Sequence, residues 1–353
     1  MNKMEKYEKD TKSRPHVVIL GAGASMAALP HRDKNRKPIT CMDNFFENLG
    51  MKDLIANLPL KTQSKNLEDI YSEVEERSKS ESLFLKAKEE IENCVFDYFN
   101  FFTIPDEPTI YDFLLLSLRE KDLIASFNWD PILIQAGNRL IEKGLILNNR
   151  LPKTVFLHGN VGVIYDPNKK AVSMHSRYDS NLGEKCSLLF PVAQKDYTNN
   201  VVIKDSWAMV KEYLRRAYIL TIFGYSAPKT DIEAVETLKE AWNFYGKKLI
   251  EEIEIIDKLD KKELKIKWHN FSEGTHLHCA ENFFESMCGK YPRRTTEQLF
   301  DVTMLSILRT DNRGFKSGMS FDDIKQFIKP LLLDEILNPD NLANPYRANF
   351  NPD

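Results

Sequence analysis

The sequence predicts an α/β fold, a parallel sheet with helices packed on both faces. Three observations predict it. Short, β-branched apolar runs of the kind that suit strands buried on both sides recur along the chain. Stretches of helical periodicity separate them. Glycine, proline or asparagine punctuates most of the ends of the apolar runs.

Taken in order, residues 1–15 (MNKMEKYEKDTKSRP) are charged and lack an apolar core. They read as a flexible, solvated tail and not as a secretory signal. His16 to Leu20 (HVVIL) is the first strand, and it runs directly into GAGAS. Residues from about 44 to 118 form a helical insertion, broken by Pro105 and Pro108. Further strands are expected at Asp122 to Phe127, Thr154 to His158, Ser187 to Val192, Ala217 to Phe223 and Ile253 to Asp257. Thr230 and Glu233 have the spacing of a capping box, and Gly246 is placed to end the helix they open. Residues 16–260 therefore read as one α/β domain. Residues 261–353 read as mainly helical, with few strand signals.

The totals narrow the class. The chain has 353 residues, 42% hydrophobic and 29% charged, with a net charge of −3. That is the composition of a soluble globular protein, and it argues against a surface built wholly for nucleic acid. No apolar run reaches the length of a membrane span. The five cysteines, Cys41, Cys94, Cys186, Cys279 and Cys288, are scattered and form no C-x-x-C pair. No disulfide framework is expected, a cytoplasmic location is the default, and a four-cysteine zinc site cannot be assembled. No metal is expected.

The turn after the first strand is a candidate phosphate site. Gly21 and Gly23 permit positive φ and a close ligand, and Ala22 and Ser25 complete the turn. The dinucleotide fingerprint has a third glycine where Met26 stands, and a second strand ending in an acid should follow soon after. Here a polar, loop-like MAALPHRDKNRKPIT follows instead. Alone, GAGAS also admits the reading of a plain strand-to-helix turn, the less favoured of the two.

Four later strand ends add weight, because ligands of open α/β sheets lie beyond the carboxyl ends of the strands. SFNWD presents Asn128 and Asp130. FLHGN presents His158 and Gly159. IFGYSAP presents Gly224, Tyr225 and Ser226. EIID presents Asp257. Each has a plainer reading: Asn128 and Asp130 suit the cap of a helix starting at Pro131, His158 suits a buried, backbone-satisfied histidine, and Tyr225 and Ser226 suit a turn.

In this order the motifs resemble the sirtuin superfamily, in particular the sirtuin-like effector domains of bacterial antiphage systems. The resemblance spans about residues 16–257. It implies a Rossmann-like, sirtuin-like domain over 16–260 that binds NAD as substrate. It places the pyrophosphate at Gly21, Ala22, Gly23 and Ser25, with chemistry at the nicotinamide ribose carried by Asn128 and His158. Gly224, Tyr225, Ser226 and Asp257 would hold the adenosine half, where the family usually presents an asparagine at the position of Asp257. Two departures stand out. The paired C-x-x-C zinc module of protein-deacylating sirtuins is missing, and of their G-I-P-D-F-R stretch only fragments survive around Leu29, Pro30 and Asp33.

The implied activity is hydrolysis of NAD to ADP-ribose and nicotinamide, in an effector that depletes NAD during infection. That chemistry needs a positioned ribose and a placed water. An amide both donates and accepts, so Asn128 is expected to position them, and His158 to act as general base. Asp130 either orients the nicotinamide side or caps the next helix. Such an activity must be gated, so a homo-oligomer and an activating partner protein are expected. Rival readings are an NAD-dependent protein deacylase or ADP-ribosyltransferase, and a non-catalytic sensor of NAD or ADP-ribose. No arginine is clearly placed for a 2′-phosphate, which leaves NAD against NADP open.

Three further clusters are weighed. His276, His278 and Cys279 could join a metal site only on an extended strand, whereas the segment is expected to lead into a helix. KYPRRTTEQ reads as a solvated surface or protein contact. HRDKNRK is either surface or a mobile loop over the cofactor.

Overall fold

The computed structural model describes residues 2–30, 32–39, 45–192, 200–246, 248–307, 313–338 and 344–346. His31, Cys41 and Asn44, the start of the expected insertion, lie outside the described residues.

Six strands form the main sheet: β1 (His16–Leu20), β2 (Leu123–Ser126), β3 (Lys153–Phe156), β4 (Ile219–Phe223), β5 (Glu252–Ile256) and β6 (His276–Ala280). Their spatial order is β3-β2-β1-β4-β5-β6, and every neighbouring pair is parallel. The order reverses between β1 and β4, the point at which doubly wound sheets open a crevice for a nucleotide.

The first strand shows why this sheet is buried on both sides. Val18 and Leu20 pack into one core and Val17 and Ile19 into the other, as the alternation of side chains along a strand requires. The first core lies under the helices α2 (Ala22–Ala28), α3 (Leu67–Ser78), α4 (Ser82–Asn100), α5 (Ile110–Ser117) and α6 (Ile132–Glu142). The second lies under α7 (Val201–Arg216) and α8 (Ile232–Trp242), which bury Trp207 and Trp242. Burying each such aromatic stabilises the fold by about 2–3 kcal/mol.

The expected parallel α/β sheet is present, and the first strand has the expected bounds. Several expectations change. Residues 1–15 are not a loose tail: α1 (Lys3–Lys12) carries a capping box from Asn2 and Glu5. Its last residue, Lys12, is buried beside Glu8 and Asp301. The charged sequence concealed this because a helix with one anchoring end needs little apolar surface. Ser187 to Val192 form no strand. Leu189 N–H donates to the carbonyl of His158 at 2.9 Å and the segment drapes over the end of β3, so Phe190 is buried, and Leu188 and Leu189 half-buried, without a ladder.

The region after residue 260 is not purely helical, because it supplies the sixth strand, β6. Its helices α9 (Thr295–Met304) and α10 (Phe321–Leu337) close the far end of the sheet. Here KYPRRTTEQ is internal. Arg293 and Arg294 are buried and both bind the carboxylate of Glu335, since buried guanidinium groups require carboxylate partners. A small antiparallel sheet of Val163–Asp166, Ala171–Met174 and Glu184–Lys185 was not anticipated. The expected capping box at Thr230 is replaced by a 3₁₀ turn, Lys229–Asp231, with Asp231 at the N-cap of α8.

Candidate functional site

The glycine turn is shaped by backbone packing. Gly21 is extended, with φ −117° and ψ −175°, and opens α2. Neither it nor Gly23 uses the positive φ that glycine permits. The reason for glycine here is proximity. A Cβ on Gly21 would lie 2.5 Å from the Tyr225 Cα, and one on Gly23 2.8 Å from the Gly224 Cα. The loop after β4 crosses the turn after β1 at this point, and it is Gly224 that takes positive φ, +60°.

This crossing consumes hydrogen-bonding capacity. The Gly21 N–H donates to the Phe223 carbonyl at 3.0 Å, Gly23 N–H to the Gly224 carbonyl at 2.9 Å, and Ala24 N–H to the Gly21 carbonyl at 2.9 Å. Among the described residues the Ala22 N–H of this turn has no partner. The turn is therefore a narrower anion cradle than the sequence suggests.

Asn128 and Asp130 follow β2 and interlock with the turn. Asn128 Nδ2 donates to the Gly21 carbonyl and to Ser25 Oγ, both at 2.9 Å, and approaches the Tyr111 hydroxyl at 3.3 Å. Ser25 Oγ donates to Asp130 Oδ2 at 2.7 Å and lies 2.8 Å from the Tyr111 hydroxyl. Asp130 Oδ1 also accepts from Ile132 N–H at 3.2 Å, in the first turn of α6. So Asp130 serves both the site and the helix, whereas the Asn128 side chain does not cap. Burial pushes the Asp130 carboxyl up to about 6, against the hydrogen bonds from Ser25 and Ile132 that favour its charged form. Burial likewise drives the Tyr111 phenol well above its ordinary value, and the nearby Asp130 adds to this.

Two residues of this network were missed. Tyr111 is delivered by α5, whose N-terminus is fixed by the Thr109/Asp112 capping box and by Arg139 of α6 on Asp112. Nothing in TIYDF distinguishes it from a core tyrosine. Asn160, fully buried, donates through Nδ2 to the carbonyls of Asn128 and Asp130 at 3.2 and 2.6 Å and holds that loop in shape. It stands inside the FLHGN block, which was the available signal.

His158 lies beyond the end of β3. Its Nε2 is 3.7 Å from Asp231 Oδ1, and its ring meets Phe127 edge-on with centroids 4.7 Å apart. Tyr225 stacks on the same Phe127, with ring centroids 4.3 Å apart and 6° between the planes. Its hydroxyl donates to Asp231 Oδ2 at 2.9 Å. Asp231 is a third residue the sequence reading missed, because its neighbours Thr230 and Glu233 suggested a helix cap.

Ser25, Asn128, Asp130, His158, Tyr225 and Asp231 border one cavity of about 490 Å³ beyond the carboxyl ends of the sheet, with Tyr111 and Asn160 supporting them from behind its wall. It is lined by Gly21, Ala22, Gly23 and Ser25, by Asn128, Asp130 and His158, and by Gly224, Tyr225, Ser226 and Asp257. Every candidate site residue from the sequence is therefore in one place. Asp257 follows β5, and its Oδ1 accepts from Leu259 N–H at 3.0 Å. Among the described lining residues Asp130, Asp231, Asp257 and Glu281 outnumber Lys258, so this part of the cavity wall is acidic. Its remaining walls include Phe45, Phe99, Trp129 and Phe283. A flat, partly cationic, hydroxyl-bearing ligand matches that mixture of aromatic walls and carboxylates.

The remaining clusters resolve differently. In HRDKNRK, Asp33 is buried and accepts from Lys37 N–H at 2.6 Å and Thr103 N–H at 3.0 Å, which ties the loop to the end of α4. Among its described residues none lines the cavity, so the reading as a cover over the cofactor is not supported. His276 and His278 lie on an extended strand, which leads into a 3₁₀ turn, Phe283–Glu285, and a short helix, Met287–Lys290. Among the described residues, however, no group of three or more His, Cys, Asp or Glu could hold a metal. Among those residues, too, no helix is long and apolar enough to cross a membrane.

No protein-family model matches the sequence, and no curated protein matches it. Solved structures similar to the chain include a Sir2 homologue–NAD complex, 14% identical with a TM-score of 0.35, over 86% of this chain and 96% of that one. Sir2 bound to acetylated peptide is 15% identical with a TM-score of 0.37, over 87% of this chain and 99% of that one. A Sir2 enzyme structure is 10% identical with a TM-score of 0.37, over 94% of this chain and 100% of that one.

Proposed function

We propose that the protein binds NAD in this cavity and hydrolyses the bond between nicotinamide and ribose. The observation that carries the reading is the convergence of the glycine turn, Asn128, His158 and Asp257 on one cavity at the point where the strand order reverses. The acidic, aromatic-walled interior suits a ligand with a cationic ring and sugar hydroxyls.

In this reading the Ala22 N–H and the start of α2 face the pyrophosphate, and Asp257 faces the hydroxyls of the adenosine ribose. A carboxylate there favours free hydroxyls over a 2′-phosphate, so NAD is preferred to NADP. Asn128 cannot swing freely, because its Nδ2 is held by Gly21 and Ser25. Its Oδ1 is the atom left to orient the nicotinamide ribose or the attacking water. His158 accepts a proton from that water as the water oxygen bonds to the ribose carbon. The carbon–nitrogen bond breaks with its electron pair passing to the nicotinamide ring nitrogen. Because that ring starts as a cation, no strong acid is required at the leaving group.

The test is to incubate purified protein with NAD at several protein concentrations and follow nicotinamide and ADP-ribose. Equimolar release of both supports hydrolysis. A steep dependence on protein concentration supports gating by self-association, and activity only with an added factor supports an activating partner, as an antiphage effector needs. Transfer of ADP-ribose or acyl groups when an acylated peptide is present points to the deacylase or transferase reading. Tight NAD binding with no release at any concentration points to a sensor.

A further inference from the structure

Asp231 occupies the N-cap of α8 yet makes no side-chain cap bond to that helix, although aspartate is among the residues most favoured in that role. Its buried carboxylate points instead across the mouth of β3. Oδ2 accepts the Tyr225 hydroxyl at 2.9 Å, and Oδ1 faces His158 Nε2 at 3.7 Å. The same three elements are locked by rings, with Tyr225 stacked on Phe127 and Phe127 against the His158 edge. A tyrosine on the loop after β4, an aspartate at the start of α8 and a histidine after β3 are thus joined at one corner of the cavity, which all three line.

We propose that Asp231, clamped by Tyr225, is the positioning residue that fixes the tautomer and orientation of His158. The inference rests on the hydrolase reading for its consequence, but its geometry is independent of it. Which ring nitrogen of a histidine carries the proton is set by the partner of the other nitrogen. With Nε2–H directed at Asp231, Nδ1 keeps its lone pair and is the proton acceptor. The proton leaving water goes to Nδ1, and the imidazolium formed is stabilised by the Asp231 carboxylate. The 3.7 Å separation is longer than a hydrogen bond, and catalytic contacts of this kind tighten when substrate excludes water.

The experiment pairs ¹⁵N NMR of the histidine side chains with NAD turnover, in the full chain and in Asp231→Asn, with His158→Gln used to assign the His158 signals. Asp231→Asn is isosteric and retains an acceptor for Tyr225. The expected result is a neutral His158 protonated at Nε2 in the parent protein and a mixture of tautomers in Asp231→Asn. Turnover should fall about tenfold to a hundredfold in kcat, with KM changed less than about twofold, a loss smaller than the roughly 10²–10⁴ that a positioned general base supplies in full. Asp231→Glu, which keeps the charge, should restore the parent tautomer and part of kcat. Identical His158 spectra in the parent and Asp231→Asn would overturn the proposal, as would an unchanged kcat. A parent protein that releases no nicotinamide defeats the hydrolase reading alone, and the ¹⁵N comparison still decides whether Asp231 governs His158.

Discussion

Gly23 and Gly224 meet backbone to backbone: the Gly23 N–H donates to the Gly224 carbonyl at 2.9 Å, and a Cβ on Gly224 would lie 2.4 Å from the Gly23 carbonyl carbon. The turns after β1 and β4 are thereby welded at the reversal point of the sheet. This contact holds the glycine turn against the loop that carries Tyr225.

Gly224→Ala should therefore be costly twice over. It adds the left-handed backbone penalty of about 1–2 kcal/mol to a clash with backbone that cannot give way. Gly144 also has positive φ, +64°, but nothing lies within 4 Å of its would-be Cβ. Gly144→Ala should cost only about 1 kcal/mol. Denaturant unfolding of both variants checks this, and Gly224→Ala should lose at least about 2 kcal/mol more. Equal losses would show that the crossing is not tight.

His158→Ala and Asn128→Ala should differ in kind. His158→Ala should release nicotinamide at least about a hundredfold more slowly, with NAD binding changed by a few-fold at most. Asn128→Ala should lose activity and also about 1–3 kcal/mol of stability, because its buried amide gives up two hydrogen bonds, to the Gly21 carbonyl and to Ser25, inside the fold. Turnover, NAD titration and urea melts on both variants separate the two. Full turnover by His158→Ala would remove it from the chemistry.

Asp130 predicts a stability that falls as pH rises. Its folded carboxyl titrates near 6 against an ordinary 3.8. Between those values the folded state holds a proton that the unfolded chain has released, and stability decreases with pH. Relative to Asp130→Asn, the parent protein should gain about 1–2 kcal/mol on going from pH 6 to pH 4.5. Urea midpoints at the two pH values measure it, and parallel shifts would contradict the buried carboxyl.

His16 predicts the opposite sign. It lies fully buried in β1, with Nδ1 3.0 Å from Thr295 Oγ1 and Nε2 2.8 Å from Thr221 Oγ1. Burial lowers it from 6.5 to about 3, against the pull of Asp122. Its stabilising contribution is complete above pH 6.5 and is lost as pH falls toward 3, because the unfolded chain takes up the proton first. The advantage of the parent protein over His16→Gln should shrink by about 2 kcal/mol between pH 7.5 and pH 5. An unchanged difference would show that the imidazole is protonated or solvated in the fold.

From the amino-acid order alone came the parallel α/β class, the bounds of HVVIL and the glycine-turn and strand-end residues that now line part of the cavity. These were legible because they depend on local rules: β-branched runs bury on two faces, and the residue after a parallel strand lies at the ligand-facing edge. The roles inside that cavity were not legible. Tyr111 reaches Ser25 across 86 positions, and Arg293 reaches Glu335 across 42. Asp231 is only 6 positions from Tyr225, yet its direction is set by a histidine on another strand. Sequence periodicity reports which face of an element is apolar, but not which distant polar group will need its partner once both are dry. Only packing decides that, because a buried donor or carboxylate must find whatever the fold brings within hydrogen-bonding reach.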